Sequence, residues 1–176
     1  MASNQPSAQT STIRPFLPGD LSALLTMNNA AVPAVSELTA EGFLDLINGA
    51  LICLVAEVDG APAGFLLCLG DGVDYDSPNY LWLSERESNF AYTDRICVDE
   101  AMRGRKIGDA LYAALFQHYA GTGKSFLCEV NERPANPGSM RFHGRLGFEE
   151  IGKADHGDKA VVYLKRPAEP ATGTAR

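Results

Sequence analysis

Asp59-Gly60 is the feature that most limits what this chain can fold into. The pair joins two apolar runs, Leu51 to Val58 and Pro62 to Leu69. A two-residue Asp-Gly link sets both of its residues at positive φ, and that twist closes an antiparallel hairpin. The fold must therefore contain a sheet with an antiparallel pair.

Runs of helical period flank this hairpin. Ile13 to Phe16 predicts a short strand, ended by Leu17-Pro18-Gly19, and Asp20 is the expected N-cap of a helix with Leu21, Leu24, Leu25 and Asn28 on one stripe. A second helix is predicted near Thr39, carrying Phe43, Leu44, Leu46 and Ile47. Beyond the hairpin, residues 71–89 read as a long irregular connection, and connections of that length tend to be functional. Phe90 to Val98 is the next strand, followed by a helix from about Arg105 to Ala120 that Gly121-Thr122-Gly123 stops. Ser125 to Asn131 predicts a strand and Pro137 to Leu146 a short helix. Phe148 to Gly152 and Ala160 to Leu164 predict a hairpin around His156-Gly157-Asp158. The expected order is β-αα-βββ-α-β-α-ββ. That is an α/β (α+β) fold, a mixed, mostly antiparallel sheet flanked by helices.

All 176 residues fit one domain, expected over 12–165 with flexible tails at 1–11 and 166–176, where little apolar side chain is available to bury. The net charge of −7 argues against a duplex nucleic-acid binder, and no apolar run approaches the length of a membrane span. The N-terminus lacks a basic region followed by an apolar core, so a cytoplasmic protein is expected. Cys53, Cys68, Cys97 and Cys128 contain no close pair and sit in apolar strand-like runs, which predicts free buried thiols and no metal.

The segment Arg95 to Gly108 carries the chemistry. A strand ends at Val98, and a turn rich in Arg and Gly leads into an amphipathic helix. Such a turn gathers backbone N–H groups at a helix N-terminus, where the helix dipole favours an anion. Arg103, Arg105 and Lys106 add positive side chains to an acidic protein, so a diphosphate is the expected guest. The P-loop pattern fails, because Gly104 to Gly108 is one residue too short and Asp109 follows. The segment instead resembles the acetyl-CoA loop of the GCN5-related N-acetyltransferases, Arg or Gln, two residues, Gly, any residue, then Gly or Ala. Arg103 and Gly108 match its ends, and Lys106 replaces its inner glycine. A second block strengthens the resemblance: Glu129-Val130-Asn131, then Asn136 through Phe142-His143 to Leu146-Gly147-Phe148.

The resemblance implies transfer of an acetyl group from acetyl-CoA to the primary amine of a small molecule or peptide by direct attack. It implies that the backbone of Ile96, Cys97 and Val98 holds the pantetheine arm. The loop Arg103, Gly104, Arg105, Lys106, Ile107 and Gly108 would take the pyrophosphate. Asn131, Asn136 and Phe142 would line the pantetheine side. Glu129 is the first expected base, and Asp94 the second, on the alternating face of Tyr92 and Ile96. Either carboxylate could instead be a strand residue paired with Arg95 or Arg133. His143 stands where the family usually has a Tyr acid. It is either a substitute acid, with a reference pKa near ~6.5, or a helix-surface residue.

The amine site is expected in residues 71–88, where five carboxylates face the single Arg86. Tyr80 and Trp82, interleaved with these acids, and Tyr92 on the following strand are the candidate amine contacts. A homodimer through the C-terminal hairpin is a further expectation. The alternative reading is a catalytically impaired acyl-CoA-binding or regulatory module of the same fold.

Overall fold

The computed structural model describes residues 11–170, so the expected tails lie outside it apart from Ser11 and residues 166–170. Seven strands form one sheet: β1 (Thr12–Pro15), β2 (Ile52–Val58), β3 (Ala61–Gly70), β4 (Phe90–Val98), β5 (Ser125–Arg133), β6 (Glu149–Asp155) and β7 (Ala160–Arg166). Their order is β1-β2-β3-β4-β5-β7-β6, antiparallel except between β4 and β5. The hairpin β2–β3 turns at Asp59 and Gly60, with φ of 51° and 79°. This is the twist that the Asp-Gly pair required.

Five helices cover the sheet: α1 (Leu21–Ala30), α2 (Ala40–Asn48), α3 (Pro78–Ser84), α4 (Ile107–His118) and α5 (Pro137–Arg145). One core layer packs Leu24 and Met27 of α1, Phe43 of α2, and Tyr80 and Leu83 of α3 against Phe65, Tyr92 and Tyr163. The other packs Ile107, Leu111, Tyr112 and Leu115 of α4 against Leu66, Ala91 and Phe126, with Met140 and Phe142 of α5 at its margin. The mixed sheet with helices on both faces is the fold class the pattern implied. Cys53, Cys68, Cys97 and Cys128 are free and buried. Burial pushes the thiols of Cys53, Cys68 and Cys97 up to about 12.

Three local expectations are corrected. Asp20 does not cap α1: its carboxylate accepts from Arg14 at 2.7 Å and from the Leu17 N–H at 2.8 Å. The carboxylate turns back to the guanidinium and the Leu17 amide, and that charge-assisted pair outweighs a bond to the N–H groups of α1. The stretch 71–89 is not irregular throughout, because Pro78 opens α3 at the position where its missing N–H costs nothing. The face alternation of β4 is also interrupted. The β3–β4 register shifts between Leu67 and Cys68, pairing Cys68 with Thr93 and Leu67 with Arg95. Asp94 is the extra residue of this bulge. Tyr92 and Ile96 therefore pack in opposite core layers.

Candidate active site

The bulge sits where β4 and β5 part. These strands pair only from Phe90, Ala91 and Tyr92 to Ser125, Phe126 and Leu127, and diverge beyond. Asp99 N–H bonds Ala63 O on β3. By strand alternation, Ile96 and Val98 therefore direct their N–H and C=O groups away from β3, into the gap. A cleft opens there, lined among others by Asp94, Ile96, Glu129, Asn131, Asn136 and His143.

Glu129 reaches this cleft from β5. Its Oε1 accepts from Asn79 Nδ2 at 3.2 Å, whereas its buried Oε2 has no hydrogen-bond partner. Burial pushes the carboxyl up to about 8, with the Asp94 charge adding to the rise and the contacts from Tyr92 and Asn79 opposing it. Asp94 is differently placed. Its Oδ2 pairs with Arg95 Nε at 2.7 Å and its Oδ1 accepts from the Tyr75 hydroxyl at 2.8 Å. Arg95 in turn bonds Asn28 Oδ1 and the Ser36 carbonyl, anchoring α1 and the segment after it. Of the two carboxylates, Glu129 has the oxygen left over.

His143 is buried rather than on the helix surface, at 4% exposure. Its Nδ1 lies 2.9 Å from the Ser139 carbonyl, which can only accept, so Nδ1 carries the hydrogen. Nε2 then accepts from the Tyr112 hydroxyl at 3.0 Å. Burial lowers the imidazole pKa, which favours this neutral form. Ser139 Oγ, on the cleft wall, lies 3.2 Å from Nδ1.

Beyond β4 the chain makes a short turn at 100–102 and enters α4 through Arg103, Gly104, Arg105 and Lys106. Gly104 takes φ of 80° and Lys106 57°, so the lysine adopts the left-handed conformation that a glycine would take at no steric cost. The first intrahelical bond runs from Ala110 N–H to Lys106 O. The N–H groups of Ile107, Gly108 and Asp109 therefore have no partner within the helix. Ile107 is buried beneath the loop, while Arg103 and Lys106 are exposed. A Cβ on Gly108 would stand 2.9 Å from Phe142 Cζ, so glycine allows α4 and α5 to approach. Free donors at the helix start and unpaired amides along β4 suit a ligand with a diphosphate and an amide-bearing arm. Asn136 caps α5 by accepting from Ser139 N–H at 3.1 Å. Among the described residues no cluster of His, Cys, Asp or Glu could hold a metal ion.

The aromatic candidates are not gathered at the cleft. Tyr80 is buried, donating to Gly70 O at 2.7 Å and accepting from Val73 N–H at 3.0 Å. Trp82 stacks on Tyr163 with ring centroids 4.1 Å apart. Tyr92 is buried beside Glu129, and its hydroxyl pKa is raised well above the ordinary value by burial and that carboxylate. Tyr112, Ser139, Asn79 and Tyr163 were missed in the sequence. Each acts through a partner; only Ser139, one turn from His143, gave a local signal.

Residues 25–148 match the model of the acetyltransferase (GNAT) family. Over 97 residues, 54% of this chain, the sequence is 34% identical to an uncharacterised N-acetyltransferase of Methanocaldococcus jannaschii, of whose length the match spans only 38%. Among solved structures, Ard1 from Thermoplasma volcanium superposes with a TM-score of 0.71 at 20% identity, covering 90% of this chain and 97% of that one. The ribosomal-protein-S18-alanine N-acetyltransferase of Escherichia coli gives 0.71 at 17%, over 95% and 99%. A phosphinothricin acetyltransferase from Sinorhizobium meliloti in complex with acetyl-CoA gives 0.69 at 20%, over 94% and 92%.

Proposed function

Because the chain belongs to the acetyltransferase (GNAT) family, we propose that it moves an acetyl group from acetyl-CoA to a primary amine of a small molecule or peptide. One observation carries this reading: the Glu129 carboxylate, with Oε2 unpartnered, stands in the cleft where β4 leaves β5. A carboxyl held near 8 is matched to taking a proton from an ammonium group, and a neutral amine is the form that attacks.

Bound acetyl-CoA supplies the thioester carbonyl. The chain's own residues do the rest. The N–H groups at the start of α4, with Arg103 and Lys106, bind the pyrophosphate, and Arg105 belongs to the same loop. Ile96 and Val98 would pair their free backbone groups with the pantetheine amides, and a donor such as the Val98 N–H would polarise the carbonyl. Cys97, expected to lend its backbone to the arm, does not: by the same alternation its N–H and C=O face β3 at Phe65, and its side chain is buried in the opposite layer. Asn131, Asn136 and Phe142 border the arm. Glu129 accepts the amine proton, and His143, beside Ser139 Oγ, would protonate the departing thiolate from its imidazolium form, returning to the neutral ring. Asp94 orients Arg95 and Tyr75.

Family membership supports acetyl-CoA as donor, and the acetyl-CoA complex of the Sinorhizobium relative supports it further. The acids of 71–88 favour a cationic acceptor. A cytoplasmic enzyme needing no metal completes the proposal, with dimerisation through the C-terminal hairpin, whose β6 is one of the two outer strands of the sheet. The test is incubation with acetyl-CoA and an amine panel while free thiol is followed. Amine-dependent thiol release is expected.

A second reading, an acyl-CoA-binding module without turnover, is favoured by the engagement of both ring nitrogens of His143. Tight coenzyme A binding with no thiol release on any amine would establish that reading instead.

A further inference from the structure

We propose that Asn79 is a positioning residue for Glu129, and that Tyr163 anchors the far end of the Asn79 amide. The proposal rests on the reading of Glu129 as the base. Asn79 Nδ2 donates to Glu129 Oε1 at 3.2 Å, and Asn79 Oδ1 accepts from the Tyr163 hydroxyl at 2.9 Å. The two ends of a primary amide differ, one donating and one accepting. Turned over, the amide would set Oδ1 against an ionised carboxylate oxygen. The acceptor-only carboxylate thus selects the orientation, and the Tyr163 hydroxyl, donating to Oδ1, anchors the other end of the amide in it.

The rest of α3 holds Tyr163 itself. Trp82, three residues beyond Asn79 and so on the same side of the helix, stacks on the Tyr163 ring at 4.1 Å with an interplanar angle of 13°. The Arg86 guanidinium lies 4.1 Å over the Trp82 ring and donates to the Trp82 carbonyl. The segment that the sequence offered as an amine-binding wall thus grips β7 with Trp82 and reaches the cleft carboxylate with Asn79. One oxygen of Glu129 is tied to Asn79 and the other, buried at the cleft wall, has no hydrogen-bond partner, so the proton-accepting atom is selected in advance of substrate.

Several groups surround this carboxylate. Tyr92 and Asp94 approach from β4, Tyr163 from β7 and Tyr112 from α4, with Cys128 beside it on β5 and His143 of α5 on the same cleft. Asp94 works against the ionised form, whereas Asn79 and Tyr92 favour it. Loss of the Asn79 donor therefore moves the Glu129 titration upward.

The experiment follows the Glu129 carboxyl in the whole protein by carbon-13 NMR with labelled glutamate, identified by its absence in Glu129→Gln. Turnover with acetyl-CoA is measured on the best amine of the panel. Asn79→Ala is expected to raise the midpoint by about half a pH unit or more, the effect of one hydrogen bond to the charged form. It should lower kcat about tenfold at neutral pH, leaving the KM for acetyl-CoA unchanged. Tyr163→Phe, which removes one hydroxyl and reads the same midpoint if Asn79→Ala does not fold, should shift it less in the same direction. Unmoved midpoints in the folded variants, with Glu129→Gln inactive, overturn the positioning role alone. Full turnover by Glu129→Gln overturns the base and the positioning role together.

Discussion

The Tyr112 hydroxyl donates to His143 Nε2 across 3.0 Å, a buried contact that joins α4 to α5. Tyr112→Phe removes the donor and leaves a ring nitrogen in an apolar environment. A buried acceptor without its partner costs about 1–3 kcal/mol. Thermal unfolding should show the loss as a melting temperature lower by several degrees, and nitrogen-15 NMR should show the imidazole leaving its single tautomer. An unchanged tautomer signal would mean that Ser139 alone holds the ring.

His143→Ala separates packing from chemistry at the same place. If the ring delivers a proton to the thiolate, kcat falls by about 10²-fold or more, the usual size of a lost general acid. Steady-state kinetics on a folded variant gives the answer, and unchanged kcat removes His143 from the mechanism.

Glu129 makes stability depend on pH in a direction unusual for a carboxyl. Its folded pKa lies at about 8, above the ordinary 4.5, so the folded chain retains a proton that the unfolded chain has already released. The stabilisation is whole below 4.5 and declines as pH rises towards 8. Glu129→Gln stays neutral and lacks that decline. Melting temperatures of the two proteins across this range should draw apart in favour of the variant as pH rises. A difference that stays flat contradicts the buried, protonated carboxyl.

Local patterns explain how much of this was legible beforehand. Asp59-Gly60 announced its hairpin because the turn chemistry is contained in two residues. The turn at Arg103–Gly108 was equally local, down to the lysine that takes the left-handed conformation of the glycine it replaces. The bulge at Asp94 left no mark, because it is a property of the pairing with β3 rather than of β4. Asn79 was hidden for the same reason: its partners are 50 and 84 residues away along the chain. Trp82 and Tyr80 sat among acids in sequence, yet their rings turn into the sheet, where burial outweighs any attraction to solvent-side charge.

Asp94 and Arg95 provide a contrast with Glu129. Their ion pair is buried, with the side chains 5% and 3% exposed. Asp94→Asn strips the guanidinium of its counter-charge, and breaking such a pair from one side costs about 3–5 kcal/mol. Chemical denaturation should show a midpoint lowered accordingly. Any fall in kcat should be smaller than that of Glu129→Gln. A larger fall would transfer the base role to Asp94.

Gly108 tests the cradle without touching a charge. Its α-carbon faces Phe142, and an added methyl carbon would lie 2.9 Å from Cζ and 3.3 Å from Cε2 of that ring. The ring edge belongs to α5, so it yields only by pushing the helix or turning off its rotamer, at about 1–3 kcal/mol. Either movement shifts the first N–H groups of α4 relative to the free amides of β4, and the two halves of the proposed ligand site would lose their registration. Gly108→Ala should therefore weaken coenzyme A binding by about tenfold or more in calorimetry, while the midpoint of the Glu129 titration stays in place. Gly104→Ala strains the same loop through a φ of 80° but meets no side chain within 4 Å. It should cost stability in the loop without displacing Phe142. Equal affinities in Gly108→Ala and the parent protein would show that the helix start takes no part in holding the diphosphate.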